Sequence, residues 1–202
     1  MKGAAIFLFL ALPAALCAAG ARPYGILLMA HGGDASWDAE IAALRARADE
    51  RVPTEAALGM ADPVALQRAV DRLHARGVKR IVAVPLFVHT RSEVLDQTRY
   101  ALGLRENPSK VLRTALAAMP HAHGGHAPGG HAHSFSAARV KIPLPLAMTP
   151  ALDDDPLVSR ILIERARALS TEPAREVVIL VAHGPVDDAA LPAWRKTLGI
   201  LA

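Results

Sequence analysis

The sequence is poor in the residues that build thiolate or disulfide chemistry. Its one cysteine, Cys17, falls in an apolar N-terminal stretch, so the chain beyond residue 21 has no thiol. That excludes a disulfide framework and a cysteine-ligated metal centre. Any bound metal must be held by imidazole and carboxylate, a donor set suited to cobalt, nickel, zinc or ferrous iron. Aromatic residues make up only 4% of the chain, and no Lys/Arg run is interleaved with them. A nucleic-acid surface is therefore not expected, although the formal charge is +4. The apolar N-terminal run is too short to span a bilayer comfortably.

That run reads instead as a secretory signal over residues 1–21. Lys2 supplies the positive start and Ala4 to Leu16 the apolar middle, and Ala19-Gly20-Ala21 supplies a small-x-small cleavage site. The expected location is exported, in the periplasm.

Beyond residue 21, strand and helix patterns alternate. Gly25 to Ala30 is a short continuous apolar run, as in a strand buried on both faces, and it stops at His31-Gly32-Gly33. Asp34 or Ser36 can cap a helix to about Glu50, with Ile41 and Leu44 on one face. Thr54 to Met60 reads as a second strand. Asp62-Pro63 opens a helix that ends before Gly77. Val78 to Leu86 is a third strand, then a loop from Phe87 to Ser92 leads into a helix from Glu93 to about Leu102. Arg139 to Met148 resumes a strand-like pattern, Asp153 to Ser170 is helical, and Glu176 to Ala182 is a further strand. Such alternation predicts an α/β fold of three layers around a mainly parallel sheet. In such sheets ligands bind at the carboxyl ends of the strands. His31 follows strand one, and His89 and Glu93 follow strand three. If those strands are neighbours, the three side chains meet at one edge.

Two features lie outside this alternation. Residues 121–133 place His121, His123, His126, His131 and His133 among Gly, Ala and Pro, a flexible tract suited to loose metal binding. The strand end Ile26 to Gly32 also recurs as Ile179 to Gly184, both reading apolar-Ala-His-Gly, which makes His183 the twin of His31. The chain therefore reads as one domain over 22–170 followed by the opening strand and helix of an incomplete second over 171–202. A homodimer or a missing second domain would cover the sheet edge this leaves.

The strand ending in His31-Gly32, the helix opened by Asp62-Pro63, and Gly77-Val78-Lys79-Arg80-Ile81-Val82-Ala83-Val84-Pro85-Leu86-Phe87 together resemble the CbiX-like sirohydrochlorin cobaltochelatases, the class II tetrapyrrole chelatases. The resemblance implies a lyase-type enzyme that inserts a divalent metal, cobalt foremost, into a tetrapyrrole without ATP. It places the family's first metal histidine on His31 and its second on Glu93, a carboxylate in place of imidazole. His89 is a further imidazole on the same loop. Arg91 can meet a carboxylate of an acidic tetrapyrrole. Metal insertion needs a weakly held metal and an acceptor for two pyrrole protons, and imidazole with carboxylate supplies both. A non-enzymatic periplasmic protein that binds or delivers metal is the other reading of this residue set.

Overall fold

The computed structural model describes residues 23–118, 137–182, 184 and 188–201. Residues 1–21, read above as a secretory signal, the tract holding His121, His123, His126, His131 and His133, and His183 lie outside the described residues.

Four strands form one parallel sheet in the order β2-β1-β3-β4: β1 Gly25–Ala30, β2 Thr54–Leu58, β3 Ile81–Pro85 and β4 Leu146–Met148. Between them run α1 Ala35–Asp49, α2 Pro63–Ala75, α3 Glu93–Ala101 and α4 Lys110–Ala118, and α5 Pro156–Leu169 and α6 Leu191–Leu201 come after β4. The α/β expectation with a parallel sheet holds, and β1 and β3 are neighbours, with Met29 opposite Pro85. Among the described residues no helix is long and apolar enough to cross a membrane.

Local chemistry sets the helix starts. The Asp34 carboxylate accepts from the Trp37 N–H at 2.8 Å, and Asp62 accepts from the Val64 N–H at 2.9 Å ahead of Pro63. Each satisfies a donor that the first helical turn leaves without an intrahelical partner. Gly77 takes φ 76°, the left-handed conformation that ends α2 without a Cβ clash.

Strand alternation then divides β1 between two cores. Leu27 and Met29 join Leu66, Val70 and Leu73 of α2 and Leu95 of α3. On the opposite face Leu28 and Ala30 meet Ile41 of α1. Glu55 of the edge strand β2 is also buried, its charge met by Arg72 at 2.7 Å and Arg76 at 3.0 Å.

Three local expectations change. The strand expected over 139–148 contracts to Leu146–Met148, because Pro143 and Pro145 have no N–H for a ladder. Helix α4 is an addition to the expected elements. Residues 176–182 form no strand, and Val177, Val178, Ile179 and Val181 are 74–87% exposed. Apolar β-branched residues make a strand only where a neighbour completes the ladder, and among the described residues none pairs with this segment.

Candidate functional site

The ends of β1 and β3 lie side by side, so the residues just past them share the carboxyl edge of the sheet. The Leu86 N–H donates to Met29 O at 2.7 Å, the last ladder bond before the strands separate. His31 stands one residue past β1 and is exposed. Its ring meets the buried Phe87 edge-on, with centroids 4.8 Å apart. This contact orients the imidazole across the gap between the two strands.

The loop carrying His31 is braced by α1. The Gly33 N–H donates to the Asp38 carboxylate at 3.1 Å, and the Trp37 Nε1–H donates to the His31 carbonyl at 2.7 Å. Gly33 lies so close to the Trp37 ring that a Cβ there would sit 2.7 Å from the indole.

His89 occupies a different setting. Its Nδ1 lies 2.9 Å from Asp153 Oδ1, so the ring donates there, and its Nε2 is enclosed without a hydrogen-bond partner among the described residues. Asp153, in the loop between β4 and α5, also accepts from the Thr90 N–H at 2.8 Å and from the Thr90 hydroxyl. The Thr90 hydroxyl oxygen in turn accepts from the Ala151 N–H at 2.7 Å. The loops after β3 and β4 are thus tied together at one carboxylate. Burial opposes ionisation of Asp153, but the Thr90 hydroxyl, the Thr90 N–H and His89 outweigh it and hold the carboxyl below its ordinary range.

A group with a depressed folded pKa contributes stability that is present above its unfolded value and is lost as pH falls through the folded one. Asp153→Asn is therefore expected to cost roughly 1–3 kcal/mol at pH 7, because an amide cannot accept from all three donors. Asparagine also tolerates the φ of 44° at this position, so the loss reports hydrogen bonds and not backbone strain. Urea denaturation from pH 7 to pH 3 should show the gap to wild type closing as the pH falls.

Glu93 begins α3, and its carboxylate accepts from the Ser109 hydroxyl at the start of α4. The same Ser109 oxygen accepts from the Leu112 N–H at 3.0 Å. Burial pushes the Glu93 carboxyl up, and Asp96 adds to this against the opposing Ser109 bond and Arg105. Arg91 is exposed on the loop between His89 and Glu93. Among the described residues no group of three or more His, Cys, Asp or Glu side chains could hold a metal. His31, His89 and Glu93 therefore share an edge of the sheet without forming a three-donor cage.

A narrow recess opens at the same end of the sheet, walled by Met29, Leu58, Gly59, Asp62, Leu66 and Phe87. Phe87 is common to its wall and to the His31 contact.

Two residues of this edge are not evident from sequence as parts of a site. Asp153 sits in an acidic run before Pro156, which reads as helix-start chemistry, and its partners lie more than 60 positions earlier. Trp37 is one of only two tryptophans, and its place three residues after the Asp34 cap is the available signal.

Sequence comparison adds one positive finding. A model of the CbiX family matches residues 25–169, a span that includes β1 through α5. No curated protein matches the chain.

Proposed function

The chain belongs to the CbiX family of class II chelatases, whose substrates are a tetrapyrrole and a metal ion, and from that premise we propose that it inserts a divalent metal into a sirohydrochlorin-type macrocycle without ATP. Cobalt is the first candidate, ahead of iron and nickel. The observation that carries this reading is His31, exposed at the carboxyl end of β1 and set against Phe87 at the end of β3. A single oriented imidazole, with no surrounding cage among the described residues, suits a metal that must leave again.

Glu93 is the proton acceptor of the proposal. Its raised pKa brings a carboxylate nearer to working pH, where proton transfer is efficient. The Ser109 hydroxyl occupies Oε1, so the proton of the proposal goes to Oε2. Arg91, exposed on the same loop, is the proposed partner of a peripheral carboxylate of the substrate. His89 braces the loop through Asp153. The histidines of 121–133, with His183, serve as a metal reservoir in this proposal, and the leader over 1–21 exports the protein.

The deciding assay mixes purified protein with metal-free sirohydrochlorin and Co²⁺ in the absence of ATP and follows the visible spectrum. Acceleration over the metal-only control is expected. No acceleration, with an active chelatase working alongside, would sink the enzyme reading. The His-rich tract favours one second reading, a metal-binding or delivery protein without turnover. It predicts tight Co²⁺ binding and an unchanged macrocycle spectrum.

A further inference from the structure

The recess at the carboxyl edge is far smaller than the roughly 300–1,000 Å³ of pockets that enclose a drug-sized ligand. A tetrapyrrole cannot be enclosed in that recess, so the proposed substrate is taken to rest on the surface beside His31. Such a ligand needs a flat, apolar, already ordered support, and one side chain at this edge meets that description.

Trp37 is 45% exposed, an unusual state for an indole in a chain with so few aromatics. Exposure here does not mean freedom. The indole Nε1–H is held by the His31 carbonyl at 2.7 Å, and the ring lies against Gly33 closely enough to exclude a Cβ there. The Trp37 backbone is fixed by Asp34 at 2.8 Å, and Asp38 ties back to Gly33. The aromatic surface is thus kept rigid within one hydrogen bond of the candidate metal donor. A side chain ordered before binding loses little entropy when a ligand lands on it. Indole stacks on flat conjugated rings of any substitution pattern, as aromatic side chains do on nucleobases.

We propose that Trp37 is the platform on which one ring of a planar tetrapyrrole rests, setting the macrocycle's height and tilt over His31. This rests on the tetrapyrrole reading above and deepens it by naming the residue that positions the substrate. Trp37 takes no part in proton or metal transfer.

The test is a titration of wild type, Trp37→Phe and Trp37→Ala with a metal-free octacarboxylate porphyrin, followed by the Soret band. Phenylalanine keeps an aromatic face and loses the indole N–H, whereas alanine loses both. The expected result is binding at least tenfold weaker for alanine and within about threefold of wild type for phenylalanine. In the intact protein the ligand's ring current should shift the Trp37 indole N–H resonance strongly and leave that of Trp194 in place. Wild-type affinity in Trp37→Ala, or an unmoved Trp37 resonance, overturns the platform while the chelatase reading stands. Equal weakening in both variants also overturns it, since Trp37 would then act only through its bond to His31. Failure of wild type to bind the porphyrin at all removes the tetrapyrrole reading, and the platform with it.

Discussion

With His31 replaced by alanine, metal insertion is expected to fall by about 100-fold, the scale of loss when a metal's donor set is disrupted. The melting temperature should stay close to wild type. The side chain is exposed, and the bond that braces its loop is accepted by the backbone carbonyl, which alanine retains. A fall in rate with an unchanged melt separates chemistry from folding. His89→Ala provides the contrast. His89 Nδ1 is committed to Asp153, so its loss should appear in stability before it appears in rate. Initial rates with Co²⁺ and the macrocycle, paired with thermal melts, measure both. A rate for His31→Ala within about threefold of wild type, against the roughly 100-fold loss expected of a metal donor, would move the metal site elsewhere.

Leu73→Ala is expected to cost about 3–5 kcal/mol, near the top of the range for a buried leucine. Leu73 is fully enclosed at the junction of α2 with β1. For a chain of this size that loss lowers the melting temperature by roughly 10 °C. The site also carries a coupling. A Cβ at Gly25 would meet Leu73 Cδ2 at 2.9 Å and Val78 Cγ1 at 3.0 Å. Gly25→Ala should therefore destabilise wild type by crowding, but cost less in Leu73→Ala, where the first of those atoms is gone. Contacting residues are where additivity fails, and a double-mutant cycle by urea denaturation measures the difference. Additive losses would show that Gly25 is confined by Val78 and the Pro53 carbonyl alone.

Much of the frame is legible in the sequence because its causes are local. Asp34, Asp62-Pro63 and Gly77 act within a turn of where they stand, and β1 and β3 announce themselves as apolar runs. Their adjacency puts His31 beside Phe87, a contact the sequence does not name. The bonds that shape the site are of another kind. Asp153 joins His89 and Thr90 across more than 60 positions, and Glu93 joins Ser109 across 16. Side-chain hydrogen bonds of that reach leave no periodic trace. Strand order puts His89 at the same end of the sheet as His31 and Glu93, whereas the direction of its ring depends on a carboxylate from a later loop. Residues 176–182 show the complementary limit, since composition reports the tendency to be a strand and not the presence of a neighbour.

That segment has a consequence for the protein in bulk. Glu176 to Ala182 contains no proline and no glycine, and its one charge stands at its first residue. Short stretches of this makeup stack into cross-β ladders when identical copies meet, each strand's amides satisfied by the copies above and below. Elsewhere in the fold such apolar runs are shielded inside the sheet, as β1 is between β2 and β3. Here the run lies on the surface among the described residues, so concentration-dependent fibrillar association is the expected outcome, and thioflavin T fluorescence checks it.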